Sequence, residues 1–475
     1  MNKIKTTIWF LCDVVKDGPF KNRVYLAGGA VRDIQLGLDP KDVDVVITGD
    51  LNSGIEFAEY VTKRFGIYKE NSNPVVFRTY GTAMFQLNGI VSDSIDLDNV
   101  EVECVATRGE KYSNNSRKPE VSSATLLEDV YRRDFTINSL LINLTSGKLL
   151  DLTGLGVSDI KNKIIRTTSD PDLIFSEDPL RIFRAIRFSF QYGFRLDDEI
   201  LTSLSRNNFK IKNISQERIR EEFDKILVCQ NCSKALELMR ETGLLYYFLP
   251  ELDNCYGVTQ GKHHDKDVFG HILDVIDNSP LILDVRLMCL FHDIAKPVTR
   301  TVGEDNEVHF YQHEKVGAEM AEKIMRRLKY PNITIDKVKL AVSNHMRLKS
   351  SGSDGSKFSD KSLRKFSIDV GDQLENILDL MNSDNISHSI ESSLPDQIPS
   401  LRKRFETLYY PTKDDRPNIP IDGNDLIELG LKPSKLFKEL LNLVIDKWLE
   451  NPNITRNEAL EIVEEKLKSQ LSRHE

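Results

Sequence analysis

Gly28-Gly29-Ala30-Val31-Arg32-Asp33, followed by Lys41-Asp42-Val43-Asp44-Val45-Val46, joins a glycine turn to two carboxylates one residue apart. The first stretch predicts a tight turn and a short helix, and the second predicts the head of an apolar strand. Side chains at i and i+2 of a strand point to the same face, so Asp42 and Asp44 are expected to project side by side. Paired carboxylates suit Mg²⁺, and Gly28 and Gly29 let a backbone approach phosphate oxygens closely. The combination predicts a nucleotidyl transfer site.

The composition is typical of a soluble multidomain protein, with 475 residues, 40% hydrophobic and 29% charged. No apolar run approaches the roughly 18 residues of a membrane span, so no membrane partner is expected. The six scattered cysteines include one isolated Cys229–Cys232 pair, which favours reduced thiols in a cytoplasmic protein. A net charge of −9 argues against a general polyanion binder but permits a local RNA-binding face.

Hydrophobic periodicity predicts an α+β fold class, with a small mixed sheet near the N-terminus and helices after it. The predicted strands are Val24–Ala27, Val43–Thr48, Thr82–Leu87, Val100–Thr107 and Leu140–Leu144, with a helix at Ile55–Phe65. From about residue 172 the period becomes helical, and the predicted helices are Leu180–Tyr192, Asp197–Ser205, Ser215–Val228 and Lys234–Thr242. A second helical block is predicted from about residue 265 to 390. Three segments are predicted to be irregular, namely the polar loop Arg108–Ala124, the Ser/Gly/Asp loop Ser350–Ser359 inside that block, and the proline-rich linker Leu394–Ile421.

A site with two metal ions needs about three carboxylates, and Glu103 on a later predicted strand is the best third candidate. Glu101 would share its face, so the choice between them stays open. A second cluster contains Arg133, Asp134 and Asn138. An arginine there can pair with a triphosphate, and the other two side chains can bond ribose hydroxyls. The alternative is an exposed ion pair at a helix end.

Residues 177–188 predict a helix that recognises a base. Asp178 and Arg181 are three residues apart, hence neighbours on one helix face, and Arg184 extends the same stripe. A carboxylate beside a guanidinium matches the amino group and acceptors of cytosine and adenine, whereas the carbonyls of guanine and uracil would oppose Asp178. The alternative is a simple intrahelical salt bridge.

Six strings follow one another over roughly residues 24–230: GGAVRD, PKDVDVV, RRDFTINSL, DLTGLGVSDIKNKIIR, EDPLRIFRAIRF and SQERIREE. In this order they resemble the class II tRNA nucleotidyltransferases, the CCA-adding enzymes and their bacterial poly(A) polymerase relatives. The resemblance implies a polymerase-β-like head, followed by an all-α neck and body that grip the tRNA acceptor arm. It implies template-independent addition of CCA to the tRNA 3′ end from CTP and ATP, with Mg²⁺ in the head.

The resemblance also implies roles for individual residues. It makes Asp42 and Asp44 metal ligands and places Gly29 and Arg32 at the triphosphate. The positions that match nucleotide recognition are Arg133, Asp178, Arg181 and Arg184, and the Arg108–Ala124 loop matches the flexible element linked to the switch from C to A addition.

The sequence departs from the family pattern in two places. Leu155 stands between the glycines of motif three, where the family reads D-x-x-G-G, which puts the hinge geometry in question. No Gly-Arg-Arg-Phe signature of poly(A) polymerases follows the carboxylates, since residues 76–81 read Val-Phe-Arg-Thr-Tyr-Gly. The second departure favours tRNA end synthesis.

A second site is predicted from histidine, because seven of the nine histidines fall between His263 and His345. Imidazoles beside an aspartate can hold a divalent transition metal and activate water. The candidate ligands are His271, His292, Asp293 and Asp384, with His313 and His345 for a second metal. The pattern H…HD…D resembles the HD phosphohydrolase superfamily, which follows the body in a subset of bacterial CCA-adding enzymes. The resemblance implies hydrolysis of 2′,3′-cyclic phosphates, 2′-nucleotides or phosphate esters; the alternative is a degenerate bundle that only extends the RNA surface.

Four domains are expected, namely a nucleotidyltransferase head at 1–150, a helical neck and body at 151–252, an HD domain at 253–392, and a linker with a helical tail at 393–475. The favoured function is CCA addition with a second, hydrolytic activity. The alternatives are an A-adding or CC-adding specialist, a poly(A) polymerase, an HD phosphohydrolase with a non-catalytic RNA-binding head, and a structural RNA-binding protein. The expected partners are the tRNA acceptor arm, CTP and ATP, and no protein partner is evident.

Overall fold

The computed structural model describes residues 2–66, 74–111, 120–260, 265–304, 307–349, 356–389, 392–408 and 420–471. The chain forms two compact units, one made of Met1–Ile226 with Leu238–Phe248 and the other of Leu227–Glu237 with Leu249–Glu475. The first combines a sheet with helices and the second is mainly helical, so the predicted α+β class is confirmed. The finer division into four domains stays a prediction.

A mixed sheet organises the first unit. Its described strands are β1 (Val24–Leu26), β2 (Val43–Ile47), β3 (Val75–Phe77), β4 (Thr82–Gln86), β5 (Val91–Ser92), β6 (Ile95–Asp96), β7 (Glu101–Ala106), β8 (Arg108–Lys111), β9 (Glu120–Ser123), β10 (Leu141–Asn143), β11 (Leu149–Leu150), β12 (Ile164–Ile165) and β13 (Arg195–Leu196). The main sheet has the order β11-β10-β1-β2-β7-β4-β3, and the others form two-stranded pairs. The five predicted head strands are therefore confirmed, with ends that differ by at most one residue.

Helices cover the first unit and continue past it. Those up to residue 248 are α1 (Lys3–Lys16), α2 (Gly29–Gln35), α3 (Ser53–Arg64), α4 (Leu126–Tyr131), α5 (Gly156–Asn162), α6 (Pro171–Glu177), α7 (Leu180–Tyr192), α8 (Asp198–Asn207), α9 (Gln216–Leu227), α10 (Cys232–Glu241) and α11 (Leu244–Phe248). The helix at Leu180–Tyr192 is confirmed to the residue, since apolar residues repeat through it and Gly193 ends it with a positive φ of 66°.

The two faces of the central strands have different surroundings. Val43, Val45 and Ile47 of β2 pack into the main core, which also contains residues of α1 and α3. Because strand side chains alternate, Asp44 and Val46 face the other side, where Val46 joins a small cluster with Val130. The strand thus presents Asp44 on the face away from the main core.

The Leu155 departure does not disturb its turn. Gly154 has a φ of +70°, and a side chain on Gly156 would lie 2.6 Å from the carbonyl oxygen of Thr136, so both positions need glycine. Leu155 has an ordinary φ of −120° and is 43% exposed. The backbone therefore has glycine at the two places that require it.

Two predictions of irregular structure are wrong in part. Arg108–Ala124 was expected to be a loop, but β8 and β9 pair at its two ends, and residues 112–119 lie outside the described residues. Leu394–Ile421 was expected to be a linker, but it contains a helix at Gln397–Thr407 whose Leu401 and Phe405 are buried. Polar hairpin strands lack the apolar alternation on which the first prediction depended.

The second unit is built from helices and one hairpin. Its elements are α12 (Pro250–Asp253), α13 (Val268–Asp277), α14 (Leu283–Phe291), α15 (Lys296–Thr299), β14 (Arg300–Val302), β15 (Val308–Phe310), α16 (His313–Arg327), α17 (Asn332–Asn344), α18 (Asp360–Val370), α19 (Leu374–Ile386), α20 (Gln397–Thr407), α21 (Gly423–Glu428), α22 (Lys435–Glu450) and α23 (Arg456–Leu471). Helix α14 contacts α13, α16, α17 and α19, which makes it the centre of this bundle. The β14–β15 hairpin interrupts the block that was predicted to be helical from about residue 265 up to the loop at Ser350–Ser359. Residues 350–355 of that predicted loop lie outside the described residues. None of the described helices has the length and hydropathy of a membrane span.

Candidate active sites

Three carboxylates converge at the centre of the sheet in the first unit. Asp42 directly precedes β2, Asp44 lies on it, and the parallel register places Glu103 of β7 opposite Asp44. Asp44 and Glu103 line a cavity, whereas Glu101 lies at the exposed start of β7. Of the two glutamates that the sequence left open, Glu103 is the one that lines the cavity, and its role as a third metal ligand stays a prediction.

The carboxylates repel one another. Burial, together with the charges of Asp42 and Glu103, raises the pKa of Asp44 to about 7. Burial also raises the pKa of Glu103, although Arg108 opposes the shift. Oxygen ligands that resist ionisation until a cation arrives fit a hard divalent ion such as Mg²⁺.

Arginines line the same cavity as the carboxylates. Arg132 and Arg133 line it together with Gly28. Both are held by the fully buried Asp129, whose Oδ1 accepts from Arg132 Nη2 at 2.7 Å and whose Oδ2 accepts from Arg133 Nη2 at 2.9 Å. Burial alone would raise the pKa of Asp129, but the two guanidinium groups outweigh it and hold the pKa below its usual value.

Asp129 was missed by the sequence analysis, which considered an arginine of the Arg132-Arg133 pair without its partner. The spacing of three and four residues from Asp129 to the two arginines is a helix-face signal that was available. The capping box formed by Thr125 and Glu128, which starts α4, was a second signal.

Four of the other predicted nucleotide-binding residues form a hydrogen-bond chain. Arg32 Nη1 donates to Asn138 Oδ1 at 2.8 Å, and Asn138 Nδ2 donates to Asp134 Oδ1 at 3.0 Å. Asp134 Oδ2 in turn accepts from Arg184 Nε at 2.8 Å. The structure brings these four residues together, although the lining of the cavity does not include them.

The prediction that Asp178 and Arg181 share one helix face is wrong. Helix α6 ends at Glu177 and α7 begins at Leu180, and Asp178 is extended with φ −140° and ψ 99°. Pro179 explains the break, because a residue before proline avoids the helical region.

The side chains of Asp178 and Arg181 consequently have different partners. Asp178 Oδ2 accepts from Arg218 Nη2 at 2.8 Å. Arg181 is buried, and it donates to Glu177 at 3.0 Å and to the carbonyl oxygen of Arg132 at 2.7 Å. Arg181 thereby connects α7 to the backbone of a residue that lines the cavity.

Histidines and two aspartates cluster in the second unit. Asp293 lies at the centre, with its Oδ2 3.1 Å from His292 Nε2 and 3.6 Å from His271 Nε2. Its Oδ1 lies 3.3 Å from His313 Nε2 and 3.9 Å from His345 Nε2. Asp293 therefore belongs to two groups whose ligand atoms are close enough to hold a metal ion, one on each carboxylate oxygen.

Backbone hydrogen bonds fix the orientation of three rings. His292 Nδ1 lies 2.7 Å from the carbonyl oxygen of Cys289, His313 Nδ1 2.8 Å from that of Phe310, and His345 Nδ1 2.7 Å from that of Val342. A carbonyl only accepts, so Nδ1 carries the hydrogen, and in the neutral ring Nε2 keeps a lone pair.

These Nε2 atoms fit a metal. All three are buried and have no hydrogen-bond partner among the described residues. Burial lowers the pKa of His345 to about 3, which keeps its ring neutral as a ligand must be. Imidazole nitrogens with a shared carboxylate suit a divalent transition metal.

Asp384 is the remaining predicted ligand, and lysines accompany both aspartates. Asp384 Oδ1 lies 3.2 Å from His271 Nε2, and its Oδ2 lies 2.6 Å from Lys349 Nζ, close enough for an ion pair although outside hydrogen-bond geometry. Lys296 Nζ lies 2.6 Å from Asp293 Oδ2. Burial would raise the pKa of Asp293, but His292 and Lys296 hold it well below its usual value.

His388 was also missed by the sequence analysis. Its ring centroid lies 5.4 Å from that of His271, and burial lowers its pKa to about 4. The four-residue spacing from Asp384 was the available signal. His263 and His264, which were counted in the predicted cluster, lie outside the described residues.

The fold and these clusters define a nucleotidyltransferase-type head joined to helical RNA-binding and HD domains. The family model for the poly A polymerase head domain matches residues 24–166, and the model for the "probable RNA and SrmB-binding site of polymerase A" matches residues 193–256. The HD domain model matches residues 268–377.

Relatives identify the family. The chain is 32% identical over 339 residues to the multifunctional CCA protein of Methylobacillus flagellatus, covering 68% of this chain and 74% of that one. It is 35% identical over 269 residues to the tRNA nucleotidyltransferase cca1 of Schizosaccharomyces pombe, covering 52% of this chain. The chain spans about half the length of that relative and of its paralogue cca2. The chain therefore belongs to the CCA tRNA nucleotidyltransferase family, as the motifs predicted.

A solved structure supports the fold. The crystal structure of the Bacillus stearothermophilus CCA-adding enzyme in complex with CTP resembles the chain with a TM-score of 0.68 and 21% identity. The match covers 99% of this chain and all of the other. The polymerase-like head with a helical continuation is thus confirmed as a fold.

Proposed function

We propose that the protein adds CCA to the 3′ end of tRNA, using CTP and ATP without a nucleic-acid template. The observation that carries the proposal is the cavity between Asp44 and Glu103 on one side and Arg132 and Arg133 on the other. Carboxylates for cations beside guanidinium groups for phosphates are what nucleotidyl transfer requires. The names of the relatives agree with this activity.

Asp42, Asp44 and Glu103 are the residues that would hold Mg²⁺. When bound, the metal neutralises phosphate charge and favours the ionised form of the attacking hydroxyl. Arg133 and Arg132 pair with triphosphate oxygens, and Asp129 keeps their forks aligned. Arg32 supports this arrangement through Asn138, whose backbone carbonyl accepts from Arg133 at 3.3 Å.

Base selection falls to Asp178 and Arg181. A carboxylate and a guanidinium at the junction of α6 and α7 can match the amino group and acceptor of cytosine or adenine. Asp178 and Arg181 are now bonded to Arg218 and Glu177, so a base would replace one of these partners. Arg184 contributes to the same region through its ion pair with Asp134.

The test is nucleotide incorporation by the purified protein with Mg²⁺. The substrates are tRNAs that end at the discriminator base, at C and at CC, each with every single NTP and with CTP plus ATP. Addition that stops after CCA, without G or U, is the expected result. Addition of A alone to the CC end would indicate an A-adding specialist, and addition that stops at CC would indicate a CC-adding one. Long A tails would indicate a poly(A) polymerase, and no incorporation on any tRNA would contradict the proposal.

A second activity is proposed for the HD domain, which is metal-dependent hydrolysis of 2′,3′-cyclic phosphates or phosphate esters. The supporting observation is the set of buried, partnerless Nε2 atoms of His292, His313 and His345 around Asp293. His271 and Asp384 complete the predicted ligand set. A bound divalent transition metal would supply an activated water.

Metal content and hydrolysis test this second proposal together. The purified protein should bind a divalent transition metal and hydrolyse 2′,3′-cyclic AMP, and Asp293→Ala should lose both properties. Asp44→Ala is the matched control and should keep them. If the wild-type protein binds no metal after incubation with Mn²⁺, Ni²⁺ or Zn²⁺, that result would favour the alternative of a degenerate HD helix bundle.

The tRNA acceptor arm is the proposed macromolecular partner. The RNA-binding family model covers residues 193–256, where Lys212 Nζ lies 4.7 Å from the ring centroid of Tyr247 and Tyr246 is 63% exposed. Exposed aromatic and basic side chains together favour RNA binding. The proposed compartment is the cytoplasm, in line with six free cysteines, and fluorescence imaging of a tagged chain tests it.

A further inference from the structure

Arg32 packs directly against the glycine turn of the first unit. A side chain at Gly29 would lie 3.3 Å from Arg32 Nη2 and 3.8 Å from Asp42 Oδ1. The neighbouring residue of the turn, Gly28, lines the cavity of the first site. Arg32 itself is 7% exposed, so it has little room to move. The position of the turn therefore depends on the position of this guanidinium group.

The polar partners of the Arg32 guanidinium bond its edges. Nε and Nη2 both donate to Asp33 Oδ1, at 2.9 and 2.8 Å, and Nη1 donates to Asn138 Oδ1 at 2.8 Å. The N–H groups of a guanidinium all lie in its plane. These bonds therefore fix the plane but leave its two faces to other neighbours.

Helix α7 contacts the guanidinium through two aromatic rings near its C-terminal end. Arg32 Cζ lies 4.7 Å from the ring centroid of Tyr192 and 5.1 Å from that of Phe188. The planes of the two rings differ by 23°, and their centroids are 5.9 Å apart. A cation is attracted to the electron-rich face of an aromatic ring, most strongly where water is excluded. The hydroxyl of Tyr192 reaches Asp33 Oδ1 only at 3.5 Å, so the ring makes the closer contact with this pair.

The same helix carries the side chains that are proposed to read the base. Arg181 and Arg184 lie in the first half of α7, and Tyr192 is its last residue. A nucleoside triphosphate extends from its base to its γ-phosphate, so the base is read correctly only if α7 and the glycine turn keep a fixed separation. The ion pair of Arg184 with Asp134 holds the first half of the helix. The rings over Arg32 hold its C-terminal end.

We propose that Tyr192 is a positioning residue for base selection, because its ring holds Arg32 and thereby fixes α7 relative to the glycine turn. The inference rests on the proposed nucleotide addition and deepens it. Tyr192 lies about 16 Å along the helix from Arg181, at 1.5 Å per residue, so it acts on the base through the placement of the helix. Loss of the ring should therefore relax the choice of base more than it slows addition of the correct one.

Incorporation of the first nucleotide on a tRNA that ends at the discriminator base tests the inference, with the full chain and Mg²⁺. The quantity measured is the ratio of kcat/KM for CTP to kcat/KM for UTP. Tyr192→Leu removes the aromatic face and should lower this ratio about tenfold, while kcat at saturating CTP stays within about threefold. Tyr192→Phe keeps the ring and should leave the ratio within about twofold of wild type.

Two further variants separate attraction from packing. A trifluorinated phenylalanine in place of Tyr192 nearly keeps the shape of the Tyr192→Phe ring but weakens its negative face, and should lower the ratio about threefold relative to Tyr192→Phe. Phe194→Leu is the matched control. Phe194 packs against Tyr192 with centroids 6.0 Å apart, and it makes no cation–π contact with Arg32 in the described part of the chain. It should leave the ratio within about twofold of wild type.

Equal falls of kcat/KM for CTP and UTP in Tyr192→Leu would overturn the inference, since base selection would then be intact. Equal falls of the ratio in Tyr192→Leu and Phe194→Leu would overturn it as well, since general packing would explain both. If Tyr192→Leu does not fold, the fluorinated chain decides, and an unchanged ratio there is a negative result. If the wild-type chain incorporates no CTP, the proposed function itself fails and the inference falls with it.

Discussion

The two candidate sites balance buried charge in opposite ways. At the first, Asp42, Asp44 and Glu103 face one another, and burial with mutual repulsion raises the pKa of Asp44 to about 7. At the second, Lys296 and Lys349 accompany the two aspartates, whose pKa values are well below the usual range. At the first site the pKa of Asp44 stays raised although Arg132 and Arg133 line the same cavity, whereas at the second the lysines help to lower the pKa values of both aspartates.

Because the two sites balance charge differently, a bound metal ion would have a different effect at each of them. A Mg²⁺ ion in the first site relieves repulsion, so its binding and the ionisation of Asp44 are coupled. A metal in the second site joins aspartates that lysines already stabilise. Metal removal is therefore expected to change the charge of the first site more than that of the second.

The largest expected effect is the loss of either CTP incorporation or hydrolysis while the other activity is kept. Asp44→Ala should lower the rate of CTP incorporation by about 10³-fold or more, roughly 4 kcal/mol of transition-state stabilisation, because a metal ligand is lost. Hydrolysis of 2′,3′-cyclic AMP should be unchanged, and Asp293→Ala should give the reverse pattern. CTP incorporation that survives Asp44→Ala would show that the first site is assigned to the wrong residues.

The pH dependence of stability sharpens the comparison. Since the folded-state pKa of Asp44 lies above its ordinary value, the protonated form stabilises the fold, and this stabilisation is lost as pH rises through about 7. Asp44→Asn cannot ionise and avoids the loss. In EDTA, the free energy of unfolding of Asp44→Asn relative to wild type should rise by up to about 4 kcal/mol between pH 4 and pH 8.

Urea denaturation at several pH values measures this difference. Glu101→Gln, at an exposed position on the next strand, is the control and should follow the wild-type curve. A difference between Asp44→Asn and wild type that does not vary with pH would mean that Asp44 is ionised throughout.

Asp129→Asn tests the role of Arg132 and Arg133 in the first site. The amide cannot hold two guanidinium groups by charge, so the KM for CTP should rise about tenfold, equal to about 1.4 kcal/mol of binding. The kcat should fall less, since the carboxylates are untouched. The exposed neighbour Glu128→Gln is the matched control and should leave KM unchanged. Equal changes of KM in the two variants would assign Asp129 to α4 stability alone.

The smallest effect concerns the internal cations of the second site. Lys349→Met removes the partner of buried Asp384 and should lower the free energy of unfolding by about 1 kcal/mol in EDTA, since Lys349 is partly exposed. Saturating Mn²⁺ should reduce the difference, because the metal would replace the lost charge. Lys361→Met, which breaks an exposed pair with Glu450, is the control and should not respond to Mn²⁺. If saturating Mn²⁺ leaves the difference in free energy of unfolding between Lys349→Met and wild type unchanged, the metal does not replace the lost charge and the prediction is wrong.

The sequence predicted the local features that periodicity and spacing encode. Asp44 lies on the expected strand, and the helix at Leu180–Tyr192 has the expected ends. Its prediction that Asp178 shares the helix of Arg181 is wrong because proline geometry outweighed the residue spacing. Local sequence rules thus predict the helices and strands, but not the conformation of every residue between them.

Long-range partners could not be predicted from one chain. The choice of Glu103 over Glu101 depends on the register of β2 with β7, which the separate strand patterns do not specify. The pairing of Lys349 with Asp384 depends on how α17 and α19 pack. Charge balance at both sites is therefore a tertiary property, even though the ligand candidates themselves are visible in the sequence.

The backbone bonds of His292, His313 and His345 also bear on which ion the second site would accept. A ring already tied to a carbonyl oxygen cannot swing its Nε2 to follow a larger or a smaller ion. Such a stiff cage sorts ions by radius, and ions of similar radius should exchange in it without remodelling the fold. Among ions of similar radius, the supply of metals around the protein would then decide which one occupies the site.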